Sequence, residues 1–250
     1  MSNLSSARKN CAVYDEAGKI PKKSKFTLFE TILIVLNILI GLGFLVMGKD
    51  YSLMPLLGFT ASVSNTLCVI LVAKRQISNY WWGILGTLTY GIVAFNAANT
   101  GEWTLNFLYY LPMNFIGWYM WNKNSEDKKE VKSKSLSLKQ SVLIFSLTAV
   151  LVFAFAYLMA LPQVQMFLYG EVSTLGFIKY LTDSLSTVLS IVAMILMVKC
   201  YREQWILWIV VNIASIILWC FTFDLMMILL WSTLLVNSVY GYIKWKTEEV

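Results

Sequence analysis

Apolar residues along this 250-residue chain come in long unbroken blocks, with the polar and charged residues gathered between them. A hydrocarbon core about 30 Å thick is crossed by ~20 mostly apolar residues in a helix. Eight blocks approach that length: 27–47, 53–73, 80–98, 103–121, 140–161, 181–198, 204–222 and 224–243. Runs within them, such as Leu33-Ile34-Val35-Leu36-Asn37-Ile38-Leu39-Ile40, do not alternate. That excludes the ~10-residue in-out pattern of a membrane barrel strand. The pattern therefore predicts an all-α integral membrane protein with eight transmembrane helices, called spans 1 to 8 here in chain order.

Sliding the chain against itself by about 125 residues exposes a repeat, the feature that decides architecture. Val63, Ile70, Leu71 and Lys74 fall on Val188, Ile195, Leu196 and Lys199, and Asn79-Tyr80 falls on Gln204-Trp205. After a one-residue slip in the next loop, Gly117-Trp118-Tyr119-Met120-Trp121 falls on Gly241-Tyr242-Ile243-Lys244-Trp245. Spans 2–4 thus match spans 6–8, and because three is odd, span 5 must act as a linker that keeps the halves parallel. The expectation is a 3+1+3 parallel-repeat, SWEET-like core plus one N-terminal helix. In transporters built this way the site lies near the midplane between repeats. The expected segments are a cytoplasmic tail (1–25), the extra N-terminal helix (26–48), a first three-helix repeat (53–121) and a second (181–245). Between the repeats, 122–180 comprises a charged cytoplasmic loop, the linker helix and an outer segment. Residues 122–139 read as solvated loop, and 162–180 as a polar stretch along the outer surface.

Composition agrees: 58% of residues are hydrophobic and 14% charged, against ~25% charged in soluble domains. The net charge of +6 is a topology signal and not a nucleic-acid surface. Threaded in order, eighteen Lys and Arg fall on one side, and only Lys49 and Lys179 on the other. By the positive-inside rule both termini are expected in the cytoplasm. About 25 polar residues precede span 1, which is longer than the roughly 7–15-residue core of a secretory signal. Cys11, Cys68, Cys200 and Cys220 show no paired spacing, and no disulfide is expected.

Polar side chains within spans are costly and usually face a bundle interior or cavity, and here they form stripes. Span 6 carries Asp183, Thr187 and Ser190; span 7 carries Trp205, Trp208, Asn212, Ser215 and Trp219. Span 3 offers Tyr80, Gly83, Thr87, Tyr90 and Ala94; span 4 offers Asn106, Tyr110, Asn114 and Gly117. Ser62 and Asn65 lie in span 2, and Thr233, Asn237 and Tyr240 in span 8. Ser, Thr and Asn also serve as interhelical hydrogen bonds, but the larger amides of Asn114, Asn212 and Asn237 are read as facing a path. Trp81, Trp121 and Trp245, near span ends, read as interfacial belt residues. Asp183 opens span 6, where the helix dipole also favours an acid; it is the one acid read as close to a span interior.

Enzyme readings lack their parts. The chain has no histidine, which removes Ser-His dyads and the commonest metal ligand, and there is no Gly-rich phosphate loop. No cofactor or metal is expected. With buried acids scarce, passive transport is preferred to ion coupling. Aromatic faces hold flat or cationic rings at about 0.5–2 kcal/mol each, and Asn amides match hydroxyls as both donor and acceptor. A ring-bearing, hydroxylated small molecule fits that lining.

Five stretches carry a resemblance over roughly residues 55–245. They are Asn79-Tyr80-Trp81-Trp82-Gly83, the Asn106/Tyr110 pair, the Gly117–Trp121 ending, Thr182-Asp183-Ser184-Leu185-Ser186-Thr187, and Gln204–Asn212 with its Trp-x-x-Trp run. On these residues the chain resembles the PnuC family of bacterial nicotinamide riboside transporters. The resemblance implies facilitated diffusion of the riboside across the bacterial inner membrane, trapping by phosphorylation in the cytoplasm by another enzyme, and a homotrimer. It further implies contacts from Asn106, Asn114, Asp183, Thr187, Trp205, Trp208 and Asn212, to which the stripes add Thr87, Tyr90 and Asn237. Many relatives have Gln where this chain has Asn114. A thiamine or riboflavin carrier on the same scaffold, a SWEET-like sugar carrier and a non-transporting scaffold or receptor are the alternatives.

Overall fold

The computed structural model describes residues 26–96, 100–125, 130–169, 177–222 and 225–247. They form α1 (Leu28–Gly48), α2 (Leu53–Ala73), α3 (Asn79–Asn96), α4 (Thr100–Thr104), a π-helical segment (Leu105–Tyr110), α5 (Leu111–Asn124), α6 (Leu138–Ala160), α7 (Pro162–Tyr169), α8 (Phe177–Val198), α9 (Gln204–Thr222) and α10 (Leu225–Thr247). A helix lies over each of the eight apolar blocks. Among the described residues, four helical stretches are long and apolar enough to cross a membrane: Leu28–Gly48, Leu53–Ala73, Leu138–Ala160 and Tyr180–Val198. Helix α3 falls short because Asn, Tyr, Thr and Gly interrupt its apolar residues.

Local sequence explains where helices begin and end. Thr27 and Glu30 close a reciprocal capping box at the start of α1, and Ser137 and Gln140 do the same for α6, satisfying amide donors that a helix N-terminus leaves unpaired. At the ends of α2 and α8 the chain turns through left-handed residues, Arg75 (φ 57°) and Cys200 (φ 64°). The Gln76 and Tyr201 amides then reach back to the Leu71 and Leu196 carbonyls at 3.0 and 2.9 Å, so both helices stop in the same six-to-one motif.

The same shift that aligned the sequence relates these bonds one by one. Arg75 N to Val72 O matches Cys200 N to Met197 O, and Tyr80 N to Ile77 O matches Trp205 N to Arg202 O. Packing follows suit. Helix α2 packs on α3 and α3 on α5, while α8 packs on α9 and α9 on α10; across the halves α10 meets α2 and α5 meets α8. Helix α1 lies on α2 as α6 lies on α8.

The slip assigned to a loop has a place inside a helix. A π turn carries one residue more than the α turn it replaces, and Leu105–Tyr110 supplies such a turn in the first half, where α10 is regular in the second.

Within residues 130–137, Glu130, Lys132, Lys134, Ser135 and Ser137 are exposed as in a solvated loop, but two positions are not. Val131 and Ser133 are buried. The Val131 amide donates to Arg75 O (3.1 Å), the Lys134 amide to Cys200 O (2.8 Å) and the Ser133 hydroxyl to Trp245 O (3.2 Å). Backbone polar groups at two helix ends need partners, and this linker provides them as a strap across both halves. Beyond α6 the polar stretch forms α7, with Gln165 buried and bonded to Ala160 O; residues 170–176 lie outside the described ones.

Candidate functional site

The Lys-rich end of the bundle is closed by aromatic packing. Tyr80, Trp121, Trp205 and Trp245 are at most 2% exposed and pack with Val72, Ala73, Ile77, Met197, Val198 and Cys200. The Trp121 indole donates to Met197 O and Val198 O (both 3.2 Å), and the Trp245 indole donates to Val72 O (3.1 Å). Each half thus finishes the carbonyls at the end of the other half's first helix. Tyr80 meets Trp121 edge-on at 5.1 Å, Trp205 meets Trp245 edge-on at 5.9 Å, and the two terminal tryptophans lie 6.3 Å apart. A Cβ at Gly117 would overlap the Tyr80 ring, and one at Gly241 the Trp205 ring, so these glycines admit the aromatics. The belt reading of Trp121 and Trp245 is corrected: both are fully buried, because their N–H groups complete helix ends that lipid could not satisfy. Trp81 is exposed, at 59%, against Trp118.

Farther from the plug the predicted residues fall into groups. Asn114, buried on α5, donates to Thr87 Oγ1 of α3 (3.3 Å) and to Tyr110 O (2.9 Å). Asn212 on α9 donates to Ser238 Oγ of α10 (3.0 Å), the matching bond in the second half with donor and acceptor helices exchanged. One amide of each pair is therefore spent on holding neighbouring helices together. Asn106 is buried and donates to Glu102 O (2.8 Å). Asn237 differs: it is 2% exposed and neither of its amide atoms has a protein partner. Trp208 is half-buried and bridges the plug to a second apolar cluster formed by Leu189, Ala193, Leu196, Leu207 and Val211. Trp205 belongs to the plug itself. Thr187 is half-buried, Asp183 exposed and Tyr90 partly exposed.

Two polar residues, Tyr109 and Glu102, escaped the sequence reading. Tyr109 donates to Ile191 O (2.7 Å), and Tyr110 lies beside Ser190, both on α8. Both tyrosines close the π segment Leu105–Tyr110, of which the one-residue slip was the sequence trace. Glu102, on α4, lies in electrostatic contact with Tyr90 and Tyr110.

The expectation that Asp183 is the one acid near a span interior is also corrected. Glu30 of α1 is fully buried, 2.8 Å from Lys74 Nζ and 3.4 Å from Lys244 Nζ, and accepts from the Tyr240 hydroxyl at 2.8 Å. A charge is tolerated there because two cations and a hydroxyl surround it.

The family of sequences described as nicotinamide mononucleotide transporter matches residues 55–247. The chain is 38% identical over 200 residues to the nicotinamide riboside transporter PnuC of Neisseria mucosa, covering 76% of this chain and 71% of that one. It is 37% identical over 192 residues to the PnuC of Haemophilus influenzae, covering 76% and 78%. A solved structure, the crystal structure of the vitamin B3 transporter PnuC, superposes with a TM-score of 0.70 at 33% identity, over 89% of this chain and 92% of that one.

Proposed function

Because this chain belongs to the PnuC family of nicotinamide riboside transporters, we propose that it carries nicotinamide riboside by facilitated diffusion through a path between its two halves. The observation that carries the reading is the family match across both halves, including the Trp205, Trp208, Asn212 run. It is a transporter and not an enzyme.

The family description speaks of the mononucleotide and the relatives' names of the riboside, and charge decides between them here. A mononucleotide adds a phosphate of about −1.5 to −2 at neutral pH, which needs a cation along the path. Among the described residues, the buried Lys74 and the half-buried Lys244 both pair with Glu30. The riboside needs no such partner. Its ring matches the half-buried face of Trp208. Its hydroxyls match Asn237, since a buried amide left without partners costs about 1–3 kcal/mol and a hydroxyl supplies both bonds. Asn106, Asn114, Asp183, Thr187, Asn212, Tyr90 and Thr87 complete the proposed lining, and Trp205 closes it beneath.

The remaining parts of the reading rest on the resemblance and the charge pattern: a 3+1+3 SWEET-like core, a homotrimer, a bacterial inner-membrane location with both termini cytoplasmic, and trapping of the riboside by phosphorylation. A passive path only equilibrates its cargo, so net uptake requires a reaction that consumes it.

Uptake of labelled riboside into vesicles tests the passive reading. The initial rate is expected to be the same with the proton gradient intact or collapsed by a protonophore. Stimulation by an imposed gradient contradicts facilitated diffusion.

A further inference from the structure

The plug is held by two matching crossings, but the groups around them do not match. At the Trp245–Val72 crossing, Lys74 lies two residues beyond Val72 and Lys244 one residue before Trp245, and Glu30 binds both lysines. Glu30 also takes the Tyr240 hydroxyl and the Thr27 amide, so one buried carboxylate ties α1 to the end of α2 and to α10. At the Trp121–Met197/Val198 crossing, the place of Lys74 is taken by Lys199, which is exposed, and that of Lys244 by Met120. The helix lying on α8 is α6, and the residue in its capping box that corresponds to Glu30 is Gln140, exposed and bonded to Ser137. The strap bonds both ends, the Val131 amide to Arg75 O and Lys134, through its amide and its carbonyl, to Cys200 O and the Arg202 amide, and all of these are neutral backbone bonds.

Pulling the first crossing apart strands opposite charges away from each other and from water, whereas the indole–carbonyl bonds of the second are neutral and the ion pair beside it, Arg202–Glu203, joins neighbours in the chain and not two helices. We propose that Glu30 is a positioning residue of the gate. It keeps the Trp245–Val72 crossing shut as a hinge, so that the Lys-rich end opens at the Trp121–Met197/Val198 crossing. This rests on the reading of the chain as a carrier whose plug must open.

Thiol labelling reads the two crossings separately. In the purified full-length protein with Cys11, Cys68, Cys200 and Cys220 replaced by serine, a single cysteine is placed by Val72→Cys or Met197→Cys, equivalent positions that are 3% and 6% exposed. Maleimide labelling of the folded protein, normalised to the unfolded chain, is expected to be about tenfold or more faster at Met197→Cys than at Val72→Cys, a ratio equivalent to ~1.4 kcal/mol. Tyr240→Phe removes one hydrogen bond from Glu30 and leaves all three charges in place. It is expected to speed labelling at Val72→Cys and not at Met197→Cys, an asymmetry that general loosening would not produce. Equal rates at the two positions (none at either included), a reversed order, or Tyr240→Phe acting on both or on neither overturns the hinge. Riboside uptake by the same protein keeps the readings apart: asymmetric labelling in a chain that carries no riboside overturns transport and leaves the hinge standing.

Discussion

Replacing Glu30 with alanine is expected to lower the stability of the folded protein by about 3–5 kcal/mol, the usual cost of leaving a buried partner charge uncompensated. Lys74 is only 4% exposed and loses its carboxylate, and Lys244 and Tyr240 lose theirs at the same time. The double variant Glu30→Ala, Lys74→Met is expected to recover part of that loss, because an apolar replacement of both partners removes the stranded charge along with the pair. Reversible unfolding in mixed micelles measures both. A single variant within about 1 kcal/mol of the parent, or a double variant no more stable than the single, contradicts a buried ion cluster that ties α1 to both halves.

The second large effect separates two tryptophans three positions apart. Trp208→Leu keeps apolar volume between the two clusters but loses the ring face, and riboside affinity is expected to fall about 5- to 30-fold, that is ~1–2 kcal/mol of ring recognition. Trp208→Phe retains a face and is expected to bind within a few-fold of the parent. Trp205→Leu behaves differently. Its ring is 2% exposed, edge-on to Trp245 and against Gly241. It is expected to cost about 3 kcal/mol of stability, as buried aromatic truncations do. Calorimetric affinity and thermal unfolding on the three variants decide this. Unchanged affinity in Trp208→Leu contradicts the ring-stacking assignment.

How far the chain could be read without coordinates depends on the range of the signal. Apolar blocks are local, and each of them holds a helix. The repeat is a comparison of two local patterns, and it reappears bond by bond in the turns at Arg75 and Cys200. What escaped was decided by partners far away in sequence. Trp121 reaches Met197 and Val198, and Trp245 reaches Val72; an aromatic near a span end looks the same whether it meets lipid headgroups or a helix end. Glu30 and Lys74 stand 44 residues apart, and a lone acid in an apolar block reads as a capping residue, which it also is. Val131 and Ser133 lie in a polar stretch whose burial comes from backbone bonding to two helix ends, and side-chain hydropathy carries no trace of that. At the site, Thr87, Asn114 and Asn212 stand on the striped faces, but the stripe does not tell an amide used between helices from one turned toward a ligand. The fold adds that Asn114 bonds Thr87 and Asn212 bonds Ser238, whereas both amide atoms of the buried Asn237 are left without a protein partner.

The most direct test is titration calorimetry on the purified protein with nicotinamide riboside, nicotinamide mononucleotide, thiamine and riboflavin. Binding of the riboside with no detectable binding of the other three is the expected result, because the proposed lining offers a ring face and an amide and, among the described residues, no cation for a phosphate. Tight binding of the mononucleotide would contradict the charge reasoning, tight binding of thiamine or riboflavin would overturn the substrate, and binding of none of the four would contradict transport through this site.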